Sequence, residues 1–172
     1  MEIDRLPLSD SRGFFCRMYC EETFSQFGWS GRIAQINSTL TAQTGTVRGL
    51  HYQSPPHAED KFVSCIAGAV YDVAVDLRRE SETFLKWHGV ILSAENNKSL
   101  LIPKGFAHGF QTLQPDCAML YLHSASYNSS SERGIAPGDP LLAIDWPMNF
   151  GAISDRDKLH SPLSTDFMGI TL

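Results

Sequence analysis

AMLYLHS, residues 118–124, alternates side chains with period two: Met119, Tyr121 and His123 fall on one face of an extended chain, Ala118, Leu120 and Leu122 on the other. That period belongs to a strand, and its polar groups keep to one side. QINST, residues 35–39, repeats the arrangement, with Gln35, Asn37 and Thr39 opposite Ile36 and Ser38. Such a polar face is either the solvated outside of a sheet or the lumen of a barrel that holds a ligand.

Outward from 118–124, short strand-like runs bounded by Gly, Pro, Asn and Ser recur at 32–40, 47–53, 61–66, 69–77, 88–93, 99–102 and 109–113. Helical periodicity is confined to short stretches such as 21–27. Linkers, repeats and low-complexity tracts are missing, and the cluster Ser129, Ser130, Ser131 suffices for one loop. The pattern predicts an all-β sandwich or barrel with short peripheral helices, folded as a single domain over residues 1–172.

Composition narrows the partners. With 42% hydrophobic and 19% charged residues, the 172-residue chain can bury a proper core. Its formal charge of −5 lacks the basic footprint of a nucleic-acid binder. A small anionic ligand stays open, because a few arginines in one cleft dominate the local field. MEIDRLPLSD at the start lacks the apolar segment of a signal peptide, and no apolar run approaches the roughly 20 residues of a membrane helix. A cytoplasmic protein without membrane partners is expected. Cys16, Cys20, Cys65 and Cys117 show no paired spacing, so they are expected to be reduced packing residues.

RGLHYQ, residues 48–53, sets Arg48 and His51 an odd number of positions apart, which in a regular strand sends them to opposite faces. Gly49 offers a bulge, and one extra residue would bring both side chains to the same side.

IPKGFAHGF, residues 102–110, carries a Pro-x-Gly-x-x-His core that resembles the second motif of the cupin superfamily of double-stranded β-helix (jelly-roll) barrels, and His51 stands where the first motif would begin. In metal-dependent cupins that resemblance implies a His-x-His pair, a Glu and a later His as ligands. Here Gln53 occupies the second His position and Lys61 follows Glu59 closely, so no metal and no cofactor are expected.

DSRGFF (10–15), QINST (35–39), VRGLHYQ (47–53), KFVSCIAGAVYDVAVDLR (61–78), IPKGFAHGF (102–110), MLYLHSASY (119–127), DPLLAIDWP (139–147) and SDRD (154–157) together, in this order, resemble the dTDP-4-dehydrorhamnose 3,5-epimerase family over nearly the whole chain. The resemblance implies an enzyme that inverts C3, C5 or both in a nucleotide-diphosphate-linked 4-keto-6-deoxy sugar. By family position His51 matches the base and Asp157 the acid that orients it. Lys61 matches the cation beside the sugar ketone, and Tyr121 the acid that returns a proton from the opposite face. Ser154-x-x-Asp157 also has the form of a capping box, and Asp76 is the alternative partner for His51.

Arg12, Arg48 and Arg156 occupy the family's diphosphate positions. Gln35 and Asn37 match nucleotide contacts, while Glu132 and His108 match further ligand contacts. Arg17 stands where the family usually places a glutamate on the nucleotide, which leaves the base open among thymine, uracil, guanine and cytosine. The resemblance also implies a homodimer that exchanges its N-terminal segment, residues 1–30; residues 150–172 are expected to form the domain's C-terminal segment. Two other readings remain open on residues alone: a metal-dependent cupin enzyme, and a non-catalytic nucleotide-sugar-binding barrel.

Overall fold

The computed structural model describes residues 1–29 and 31–172. Two five-stranded antiparallel sheets dominate it. One runs in the order β1 (Glu2–Asp4), β9 (Lys98–Ile102), β6 (Lys61–Ala67), β11 (Cys117–His123), β4 (Gln35–Thr41). The other runs β12 (Glu132–Gly134), β5 (Val47–Gln53), β10 (Phe106–Thr112), β7 (Ala69–Asp76), β8 (Trp87–Ser93). A separate hairpin pairs β2 (Leu8–Asp10) with β3 (Gly13–Phe15). The helices α1 (Glu21–Gln26) and α2 (Asp155–Lys158) are short and peripheral.

Strand alternation distributes the apolar residues into three clusters. Val63 and Cys65 of β6, Met119 of β11, Val70 and Ala74 of β7 and Phe110 of β10 meet between the two sheets. Phe62, Leu101 and Leu122 point the other way, beneath Phe24 of α1 and Trp29. Leu50, Val73, Val75 and Ala107 face outward from the second sheet and are covered by the chain after Ile135, including Leu142 and Trp146. The sheets therefore pack face to face with both outer sides partly clothed, the arrangement of a jelly roll.

The all-β expectation holds, and the eight expected strands all form, with bounds shifted by up to three residues. β4 begins at Gln35 rather than residue 32, and β10 at Phe106 rather than residue 109. The three-residue strands β1, β2, β3 and β12 were not expected, since three residues do not sample a period of two. All four cysteines are free.

Candidate active site

The polar faces turn inward. Tyr121 and His123 of β11 and Asn37 and Thr39 of β4 line a cavity of about 670 Å³ between the sheets. Of the two readings of that face, the lumen is the one observed.

The bulge is present in β5. His51 pairs with His108 and Arg48 with Phe110, so four residues of β5 oppose three of β10. Gly49 takes φ +120°, and a Cβ there would lie 2.6 Å from the Cα of Gly109. Only glycine allows this crossing of two backbones. The extra residue brings Arg48 and His51 to the same cavity.

The bulge leaves the Gly49 N–H without a ladder partner, and Asp157 Oδ2 accepts it at 3.2 Å. The other carboxylate oxygen, Oδ1, lies 2.8 Å from His51 Nε2. Ser154 caps α2, its Oγ accepting from the Asp157 N–H at 3.1 Å. Asp157 thus both occupies the capped turn and contacts His51: the cap fixes the backbone from which the carboxylate reaches the imidazole. Asp76, the alternative partner, is excluded by geometry. Its oxygens are occupied by Arg78, Ser81 and Thr83 at the far end of β7.

Charge states follow from these contacts. Burial tends to raise the Asp157 carboxyl, but the hydrogen bond with His51, together with the Gly49 N–H and Arg156, brings it below its usual range. Asp157 is therefore an acceptor only, and His51 Nε2 must carry the hydrogen. Arg156 Nη2 is also 3.2 Å from that nitrogen, where it acts as a charge rather than as a second donor. Burial lowers the His51 pKa against the opposing pull of Asp157, so the ring is neutral at pH 7 and Nδ1 is its basic nitrogen.

The remaining polar groups surround this dyad. Lys61 Nζ donates to the His51 carbonyl at 3.2 Å and lies 3.5 Å from Glu59 Oε1. Tyr121 shares a hydrogen bond of 3.2 Å with Thr39, and burial raises its phenol strongly. His108 Nε2 is held by both oxygens of Asp72 at 2.9 and 3.0 Å. Arg48 Nε donates to Thr41 at 2.9 Å, and Arg156 pairs with Glu132 at 3.0 Å.

His51, Lys61, Tyr121, Asp157, Asn37, Arg48, His108, Glu132 and Arg156 therefore gather around one cavity. Arg12, Arg17 and Gln35 do not line it within the chain. Arg12 sits exposed on the hairpin, bonded to Asp10, and Arg17 borders a separate groove near Tyr19 and Phe24. Gln35 accepts from the backbone N–H of Tyr127. Asp72 and the pair Glu59–His123 were not singled out as site residues. An aspartate flanked on both sides by apolar residues in AVYDVAV, 69–75, was the available signal for the first, and the polar face of 118–124 for His123.

The cupin metal positions do not fit an ion. The Gln53 side chain is satisfied by the His57 and Ser126 carbonyls and the Asn128 N–H. Glu59 is engaged by His123 and Lys61. His51, Asp157 and His160 do place three ligand atoms within 4.8 Å of one another. The Arg156 guanidinium, 3.2 to 3.5 Å from two of them, sets a positive charge beside that position.

A sequence model of the dTDP-4-dehydrorhamnose 3,5-epimerase family matches residues 1–165. A relative from Sinorhizobium fredii, named dTDP-4-dehydrorhamnose 3,5-epimerase, is 43% identical over 155 residues, covering 90% of this chain and 80% of its own. The crystal structure of the Bacillus anthracis dTDP-4-dehydrorhamnose 3,5-epimerase, with TDP and PPi bound, superimposes with a TM-score of 0.91 at 40% identity, covering 94% and 93% of the two chains. That of the Legionella pneumophila dTDP-6-deoxy-D-glucose-3,5-epimerase, in complex with dTDP-4-keto-L-rhamnose, gives 0.89 at 41% identity, covering 94% and 86%. The chain belongs to the dTDP-4-dehydrorhamnose 3,5-epimerase family.

Proposed function

We propose that this cavity epimerises a dTDP-linked 4-keto-6-deoxy sugar at C3, C5 or both by proton transfer alone, with His51 as base. The observation that carries this reading is the 2.8 Å contact between Asp157 and His51 Nε2 on the cavity wall, which leaves Nδ1 as the nitrogen to accept a proton.

A hydrogen α to a ketone is acidic enough to remove only if a base sits on it and the oxygen's developing charge is met. His51 Nδ1 takes the proton, and the C–H electron pair moves into the C–C bond and onto the ketone oxygen. The Lys61 ammonium stabilises that enolate. Tyr121 then gives its phenolic proton to the opposite face, which inverts the centre and regenerates the ketone. Its raised pKa keeps the phenol protonated until a strong carbon base is presented. His51 and Tyr121 return to their starting states by exchange with solvent. No electron is gained or lost, so the chemistry calls for no redox cofactor, and the occupied Gln53 and Glu59 side chains favour a metal-free site.

Arg48 and Arg156 are suited to the diphosphate, whose oxygens would displace Glu132 from Arg156. His108, Asn37 and Glu132 supply further contacts to the sugar nucleotide, and Gln35 acts from outside the lining, through its bond to the cavity-lining Tyr127. The exposed hairpin carries Phe14 and Phe15, and the outer face of edge strand β4 carries Ile36 and Leu40, each more than half exposed. A homodimer that buries these residues would bring Arg12, and with it Arg17, toward the partner's cavity. Among the described residues no helix is long and apolar enough to cross a membrane; a cytoplasmic location belongs to the proposal.

The test is a panel of nucleotide-linked 4-keto-6-deoxy sugars incubated in heavy water, with deuterium located by NMR. Deuterium at C3, C5 or both of the dTDP sugar supports the reading. Absence of exchange from every sugar contradicts it.

A further inference from the structure

Three imidazole–carboxylate pairs surround the cavity: His51–Asp157, His108–Asp72 and His123–Glu59. The third has no part in the proton transfers above. Glu59 and Lys61 are two residues apart, a spacing that places both on one face of an extended chain, and both side chains are more than nine-tenths buried. Glu59 divides its oxygens. Oε2 lies 3.0 Å from His123 Nδ1, and Oε1 lies 3.5 Å from Lys61 Nζ.

A buried ammonium loses its proton readily unless a counter-charge compensates for lost hydration. Charges face Lys61 from several elements, but most are committed elsewhere. Asp72 on β7 holds His108, and Glu132 on β12 holds Arg156 and Tyr127. His51 on β5 offers Lys61 only its neutral carbonyl. His123, directly across the ladder from Lys61 on β11, donates to Glu59. Glu59 is the carboxylate that remains for Lys61.

We propose that Glu59 is a positioning residue, aimed by His123, that keeps Lys61 an ammonium pointed at the substrate oxygen. Burial pushes the Lys61 pKa down, and Glu59 is the foremost group opposing that fall. Burial also tends to raise Glu59, but His123 and Lys61 together hold it below its usual range, so the carboxylate is ionised. The inference rests on the reading of Lys61 as the cation at the ketone.

The experiment follows Lys61 itself. In lysine ¹³Cε-labelled protein its resonance is assigned by its loss in Lys61→Met and titrated in wild type, Glu59→Gln, Glu59→Asp and His123→Asn. Glu59→Gln should lower the Lys61 midpoint by about one pH unit or more, and the alkaline limb of kcat/KM should move down with it. Glu59→Asp, which retains the charge, should recover part of the shift. His123→Asn, whose amide N–H can replace Nδ1–H, should stay close to wild type. An unchanged Lys61 midpoint in folded Glu59→Gln overturns the proposal. A wild-type rate in Lys61→Met instead overturns the reading of the ketone contact on which it rests.

Discussion

Asp76 and Asp157 are both nearly inaccessible carboxylates, 1% and 3% exposed, yet the chain uses them in opposite ways. Asp76 is closed on itself: Arg78 Nε and Nη2 donate at 2.8 and 2.6 Å, and Ser81 and Thr83 occupy what remains. Burial would raise its pKa, but those donors hold it far below the ordinary carboxylate range. Asp157 spends one oxygen on the backbone of a bulge and the other on an imidazole whose second nitrogen is free to accept. A carboxylate saturated by its own corner fixes a loop, whereas one shared with a titratable ring on a cavity wall sets that ring's tautomer.

Exchanging each carboxylate for its amide separates the two uses. Asp157→Asn should lower kcat by about 10² to 10⁴, as expected when a general base loses its orienting partner, with little change in melting temperature. Because Asp157 raises the His51 pKa, the acid limb of the residual activity should also move to lower pH. A wild-type rate in Asp157→Asn would remove the dyad from the mechanism.

Tyr121→Phe probes the other face of the cavity. Inversion should slow by about 10²-fold, while proton exchange that depends on His51 stays measurable. Product formed at the wild-type rate would transfer the acid role to Tyr127 or to water.

Asp76→Asn should instead act on folding. Losing hydrogen bonds to a buried charge should cost roughly 2–3 kcal/mol in denaturant unfolding, and kcat per folded molecule should hold. The folded pKa is depressed, so this contribution is complete above the unfolded value, near 3.9, and is lost as pH falls toward the folded one. A variant equally stable at pH 7 and at pH 3 relative to wild type would contradict it.

Much of this was legible in the residues. Period two at 118–124 and 35–39 sorted the cavity face, and the odd spacing of Arg48 and His51 around Gly49 announced the bulge. The choice between Asp157 and Asp76 was not local. Asp76 lies on an interior strand and looks equally available until the loop at 78–83 folds back onto it. Asp72 is illegible for a related reason, since its contact with His108 exists only when β10 is laid beside β7. Arg12 occupies a family diphosphate position and Arg17 replaces the family's usual glutamate, yet both lie outside the chain's own cavity; only the proposed homodimer would bring them to one.

The central claim is that His51 Nδ1 removes the α-proton. It is tested most directly by incubating the dTDP-linked 4-keto-6-deoxy sugar with folded His51→Ala in heavy water and measuring deuterium at C3 and C5 against wild type. The account predicts wash-in by the wild-type enzyme and none above the uncatalysed background in the variant at either carbon. Deuterium entering at the wild-type rate in His51→Ala would contradict it.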